Sequence, residues 1–199
     1  LGTDKVYECS ATDLSTGYAG QAGKATREKF LEALGGVLFV DEAYRLNPQT
    51  AVGNPYMQEV LDEIVQLLTE EQFKGKMAVI FAGYAPDLDA LLSANPGLKS
   101  RIPNKIVFED FSLDSTVELL LLQLEKKALK LDGNSDFVIN GVRALINAPH
   151  WSNGRDVDTF GKKIYQEAAK AKCDVVTEKI FQAALEACLL NKRGVAGEA

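Results

Sequence analysis

Apolar residues in the first half of this chain fall into short runs separated by polar loops and amphipathic stretches. Lys5-Val6-Tyr7-Glu8-Cys9 predicts a short strand, followed by polar Ser10-Ala11-Thr12-Asp13. Ser15-Thr16-Gly17-Tyr18-Ala19-Gly20 predicts a flexible loop, and residues 24–34 an amphipathic helix that Gly35-Gly36 stops. Val37-Leu38-Phe39-Val40 is a continuous apolar run ending in Asp41-Glu42, which predicts a strand buried on both faces of a parallel sheet. A polar loop over 48–55 and a helix over 57–70 come next. Ala78-Val79-Ile80-Phe81-Ala82 predicts the second buried strand, entered through Gly75-Lys76. A short helix over 87–92 stops before the turn signal Asn95-Pro96-Gly97, and Lys105-Ile106-Val107-Phe108 predicts a further sheet strand. Strands alternating with helices of this length predict an α/β fold.

After Asp110 the pattern predicts helices without a strand. Ser112 caps a helix over 113–130, Ser135 one over 136–147, and Thr177 one over 178–190, while Asn153-Gly154 precedes a helix over 155–172. The predicted organisation is an α/β unit over 1–110, an all-α unit over 111–193 and a frayed tail over 194–199.

Composition narrows the function classes. The chain has 199 residues with a formal net charge of -6, and no cluster of Lys and Arg, which argues against a nucleic-acid binder. Cys9, Cys173, Cys188 and the single histidine, His150, have no metal-ligand spacing, so structural zinc is excluded and the odd cysteine count suits a reducing compartment such as the cytoplasm. The most apolar stretch, Leu119-Leu120-Leu121-Leu122, is far too short to cross a bilayer. Leu1-Gly2-Thr3 reads like the end of a helix and its glycine stop, with something expected before it.

Asp41 and Glu42 are the first chemical signal. A buried strand delivers two adjacent carboxylates to its carboxyl end, where ligands bind in open α/β sheets. Such a pair fits a magnesium-holding acid beside an acid that polarises water, and equally fits two acids at an ordinary strand end. Five segments, one of them holding these two acids, bear on this choice. Gly17-Tyr18-Ala19-Gly20-Gln21, Gly35-Gly36-Val37-Leu38-Phe39-Val40-Asp41-Glu42-Ala43-Tyr44, Ala82-Gly83-Tyr84, Asn95-Pro96-Gly97-Leu98-Lys99-Ser100-Arg101-Ile102 and Asn153-Gly154-Arg155 occur in the order and at the spacing of one family. From about Val6 to Leu190 the chain resembles the CbbX/CfxQ and stage V sporulation protein K branch of the AAA+ ATPases.

The resemblance implies a P-loop NTPase-type parallel sheet with flanking helices followed by a helical lid, with ATP and Mg²⁺ as cofactors. It implies that Asp41 is the Walker B magnesium ligand, directly or through water, and that Glu42 is the catalytic acid beside it. It implies that Arg101 is the arginine finger serving the γ-phosphate of a neighbouring subunit, although Lys99 stands where many relatives have another arginine. Without the resemblance Arg101 reads as a solvated or salt-bridged surface residue, a description that Arg27 and Lys105 also fit. Arg155 matches the sensor-2 arginine of the lid. Tyr84 takes the position of a sensor-1 asparagine. Tyr18 matches the aromatic of the pore loop that grips a polypeptide, where it otherwise reads as an exposed aromatic.

No G-x-x-x-x-G-K-[ST] segment occurs; Gly17 to Lys24 has the wrong spacing, and Ala25 lacks the hydroxyl. In the family that loop precedes the point where this sequence starts, and its strand lies between the one ending at Phe81-Ala82 and the one near Val107. The expectation is a fragment of a ring-forming, hexameric motor that remodels a protein partner, itself inactive toward ATP. The alternative is a degenerate module serving as an interface or scaffold.

Overall fold

Val37–Asp41 (β2) is the middle strand of a three-stranded parallel sheet. Val6–Ser10 (β1) pairs with it on one side, Val6 opposite Val37 and Ser10 opposite Asp41; Ala78–Phe81 (β3) pairs on the other, Ala78 opposite Val37 and Phe81 opposite Val40. Leu38 and Val40 are fully buried, but Val37 and Phe39 are only partly so and Ile80 of β3 is exposed, so the burial expected on both faces is met on one face only. The computed structural model describes residues 2–15, 21–49, 56–132 and 136–195. The chain divides into two compact units, Leu1–Val107 and Phe108–Ala199.

In the first unit, β1 runs into a 3₁₀ turn, Ala11–Leu14, whose start is held by Asp13: its carboxylate accepts from the Ser10 amide and hydroxyl, each at 2.8 Å. Those donors hold the Asp13 carboxyl below its ordinary pKa. Ala22–Glu32 (α1) and Met57–Leu67 (α2) pack against each other. On α2 the buried residues Met57, Val60, Leu61, Ile64 and Leu67 recur at helical spacing, so one stripe faces the core. Phe30 from α1 meets Phe73 edge to face, with ring centroids 5.6 Å apart.

Gly35 and Gly36 have different tasks. Gly35 adopts φ +87°, and a Cβ on Gly36 would lie 2.6 Å from the Lys5 carbonyl oxygen, which accepts the Val37 amide. Only glycine lets α1 end and β2 begin that close to β1. Arg27 of α1 bridges to α2 and beyond, with Nε 3.0 Å from Glu63 and a two-pronged contact to Glu70 at 2.7 and 2.9 Å.

Beyond β3, Ala85–Ala94 (α3) opens with Pro86 in its first turn and is longer than the helix expected over 87–92. The turn signal at Asn95 is itself the cap of a short helix, Pro96–Lys99 (α4): Asn95 Oδ1 accepts from the Leu98 amide at 2.8 Å. The strand expected at Lys105-Ile106-Val107-Phe108 does not form. Residues 102–112 carry no regular structure, and Phe108 is 93% exposed. A strand exists through its neighbour, and among the described residues none lies alongside this run; β propensity alone does not hold it extended in a sheet.

The second unit comprises Leu113–Lys126 (α5), Asp136–Ile146 (α6), Gly154–Lys170 (α7) and Glu178–Val195 (α8). Ser112 caps α5, its Oγ accepting from the Ser115 amide at 3.1 Å. The expected Ser135 cap lies outside the described residues. Phe181 is central to this core, meeting Phe137 and Phe160 edge to face at 5.2 and 5.0 Å. Gly141 of α6 leaves the space that the Phe181 ring takes.

This unit also departs from the all-helical expectation. α5 ends at Lys126, Ala128 turns the chain at φ +56°, and Lys130–Leu131 (β4) pairs in parallel with Val175–Val176 (β5). Strands of two residues leave no alternation to read in a sequence. No helix among the described residues is long and apolar enough to cross a membrane.

Candidate functional site at the carboxyl end of the central strand

Asp41 is the last residue of β2 and is exposed. Its Oδ1 accepts the Glu42 amide at 2.8 Å. Glu42 leaves the strand in the left-handed conformation, φ 50° and ψ 36°, which costs a non-glycine residue about 1–2 kcal/mol. A 3₁₀ turn, Ala43–Leu46, follows at once. The Ala43 amide donates to the Ala82 carbonyl at 2.9 Å, and the Ala82 amide donates to Val40 at 2.9 Å, so the ends of β2 and β3 are stitched together.

That stitching brings Tyr84 to the same end of the sheet as the two acids. Its ring lies 6.2 Å from that of Tyr44, and its side chain is largely exposed. Gly83 lets Tyr44 approach: a Cβ there would lie 3.0 Å from Tyr44 Cδ1. The Tyr44 hydroxyl donates to Glu42 Oε1 at 3.2 Å, and Arg45 Nη2 lies 3.2 Å from Oε1 and 3.1 Å from Oε2. Sequence reasoning named Asp41, Glu42 and Tyr84 but missed Tyr44 and Arg45 as partners of Glu42. Spacing alone does not reveal them, because positions i and i+3 eclipse only where the chain enters a 3₁₀ turn, as it does after Glu42.

Among the described residues no group of three His, Cys, Asp or Glu side chains could hold a metal ion. Asp41 nonetheless suits magnesium, which takes one or two carboxylates and completes its shell with phosphate and water oxygens. Its Oδ2 faces no hydrogen-bond donor among the described residues.

Arg101 is not gathered with the acids. It follows α4, and its Nη1 donates to the Gly97 carbonyl at 2.7 Å and to Ser100 Oγ at 3.3 Å. Its Nε is buried without a partner among the described residues, beside a cavity of about 220 Å³ lined in part by Phe73, Lys74, Met77 and Asn104. Lys105 makes the surface ion pair, with Asp89 at 2.7 Å.

Arg155 belongs to the second unit, as the second residue of α7, and is exposed. The start of that helix is fastened by side chains. Asn153 Oδ1 accepts from the Phe111 amide at 2.9 Å and from Trp151 Nε1 at 3.1 Å, while its Nδ2 donates to Asp110 Oδ1 at 2.7 Å. Lys192 of α8 donates to the Pro149 and His150 carbonyls and to Asp156 Oδ2. Tyr18, expected in a pore loop, lies outside the described residues. Cys9 and Cys188 are buried, and burial pushes both thiols up in pKa, which makes them inert packing residues.

The ATPase family associated with various cellular activities (AAA) matches residues 3–110. Among curated relatives, a protein CfxQ homolog of Guillardia theta is 33% identical over 147 residues, covering 73% of this chain and 49% of that protein. Stage V sporulation protein K of Bacillus subtilis is 28% identical over 176 residues, covering 86% of this chain and 52% of the relative. ESX-1 secretion system protein EccA1 of Mycolicibacterium smegmatis is 40% identical over 123 residues, 60% of this chain and 21% of the relative. The chain thus spans about half the length of the first two relatives.

Proposed function

The chain belongs to the AAA family of ATPases, related at moderate identity to CbbX/CfxQ-like and stage V sporulation protein K-like members, and from that premise we propose that its parent protein is an ATP-driven ring motor, a homohexamer, that remodels a protein partner. One observation carries this reading: Asp41 and Glu42 stand together at the carboxyl end of the central strand, with Tyr84 at the same end of the sheet, 6.2 Å from the Tyr44 ring. This is where ligands bind in open parallel sheets.

In this reading Asp41 holds magnesium, directly or through water, and Glu42 orients and deprotonates the attacking water. Mg²⁺-ATP, when bound, supplies the phosphoanhydride to be split and part of the charge neutralisation. Tyr84 offers a hydroxyl near the reacting groups. Arg101 is the finger that serves the nucleotide of a neighbouring subunit, for which it must exchange its contacts with Gly97 and Ser100. Arg155 is the nucleotide sensor of the helical unit, and Tyr18 grips the polypeptide. The 199 residues contain no G-x-x-x-x-G-K-[ST] loop, so turnover is assigned to the whole protein and not to this chain by itself. The relatives' names come from sporulation and from a secretion system, so the partner is left as a class, a polypeptide.

The test is magnesium-dependent ATP hydrolysis by the full-length protein, by this chain, and by full-length Glu42→Gln. Turnover is expected in the first and none in the second, with Glu42→Gln slowed by about 10²-fold or more. Wild-type turnover in Glu42→Gln removes Glu42 from the mechanism. Failure of the full-length protein to bind or split ATP would leave a scaffold module instead.

A further inference from the structure

We propose that the cavity beside Arg101 is a binding site for a small carboxylate with a short apolar body, such as an aromatic or branched aliphatic acid.

The cavity belongs to the first unit, where the residues after α2, the entry to β3 and the segment after α4 meet, and it measures about 220 Å³. That exceeds the room one bridging water takes and falls below the roughly 300–1,000 Å³ of sites for drug-sized ligands. Gly75 and Met77 in its lining precede β3, whereas Asp41 and Glu42 lie at the far end of the parallel strand β2. The cavity is therefore at the opposite end of the sheet from the two acids and has no part in the chemistry assigned to them.

Its lining carries charge of one sign only. Arg101 and Lys74 contribute two cations and Asn104 an amide, and no acid is among the lining residues. Lys74 makes no ion pair among the described residues. Arg101 uses Nη1 on the Gly97 carbonyl and Ser100 Oγ, which leaves Nε and Nη2 without an acceptor among the described residues, and Nε is buried. Those two N–H groups lie side by side along one edge of the planar guanidinium, the fork that takes both oxygens of a carboxylate. A buried charged donor without an acceptor is costly, so a negatively charged acceptor belongs beside it.

The rest of the lining selects the kind of anion. Phe73, Met77 and Ile102 supply an apolar wall, and Phe73 is fully buried in the core. Phosphate or sulfate carries oxygens on every side and would strand some of them against that wall. A carboxylate has both oxygens on one side and its hydrocarbon body on the other, which matches a lining part cationic and part apolar.

The experiment titrates benzoate, without nucleotide, into the full-length protein labelled with ¹³C at its methionine methyls, Met77 being identified through Met77→Leu. The ring current of bound benzoate is expected to shift the Met77 methyl saturably, while the methyl of Met57, which is buried and does not line the cavity, stays in place. Benzamide, of the same shape without the charge, should bind about tenfold more weakly or worse. Arg101→Met should weaken benzoate about tenfold or more and Lys74→Met about threefold. Should Arg101→Met disturb the Met57 methyl and so the fold, Lys74→Met, a change at an exposed side chain, decides alone. A Met77 methyl unmoved by millimolar benzoate overturns the site, as do equal binding of benzamide and unchanged affinity in Lys74→Met. Inorganic phosphate competing as well as benzoate overturns it too, since the apolar wall would then select nothing.

Discussion

Asn153 donates from Nδ2 to Asp110 Oδ1 at 2.7 Å across 43 residues of chain, and the same side chain accepts from the Phe111 amide and the Trp151 indole. One amide thus closes the entry of α5 onto the entry of α7. Its backbone sits at φ 50° and ψ -123°, a conformation that favours glycine. Here the side-chain bonds offset the backbone strain.

Asn153→Ala should therefore lose three hydrogen bonds and keep the strain, destabilising the helical unit by about 2–3 kcal/mol. Asn153→Gly loses the same bonds but relieves the backbone, so its loss should be smaller. Urea unfolding followed by circular dichroism on the two variants checks the order; equal losses would mean that the backbone is unstrained.

Lys192 is expected to matter nearly as much. Its ammonium lies 2.8 Å from Asp156, with side chains only 13% and 15% exposed, and it also satisfies two carbonyls of the preceding loop. Lys192→Met should cost about 1–3 kcal/mol, because a shielded carboxylate loses its cation. Amide exchange should quicken first around 149–153, and an unaltered exchange pattern there would dismiss the pin.

Glycine at position 36 is required by distance and at position 35 by dihedral angle. Gly36→Ala drives a methyl toward the Lys5 carbonyl and should cost about 1–3 kcal/mol by prising β1 from β2. Gly35→Ala meets open space and is expected to cost only the left-handed penalty, about 1–2 kcal/mol. Thermal midpoints of both variants measure the difference in kind.

Stability should fall in acid partly through Glu70. The two-pronged hydrogen bond from Arg27, helped by Gln66, lowers its pKa from 4.5 to about 2. A depressed carboxyl adds stability that is present above its unfolded pKa and lost as pH falls through the folded value. The advantage of wild type over Glu70→Gln should thus be full at about pH 6 and vanish toward pH 2. Parallel urea titrations across that range test it, and a constant gap would show that Glu70 contributes nothing through its charge.

Much of the site was legible because it is local. The run Val37 to Val40 ending in Asp41-Glu42 announces both a buried strand and the acids at its end, and β2 stands where expected. Lys105 to Phe108 reads equally well as a strand and is not one, since pairing depends on a neighbour that no local pattern reports. Asn153 shows a helix start, yet its partners lie 42 and 43 residues upstream. Lys192 looks like any terminal lysine. Arg45 is different again: its role needs the left-handed turn at Glu42, a conformation that glutamate does not advertise.

Each unit has its own apolar core. Phe30, Leu38 and Ile64 anchor one, Phe160 and Phe181 the other, and among the described residues no buried residue belongs to both. The chain has a single tryptophan, Trp151, which packs on the second core. Its emission is therefore a selective voice that follows the melting of the helical unit. Ellipticity registers both units, so where the two curves part, the difference belongs to the unit that carries Asp41 and Glu42.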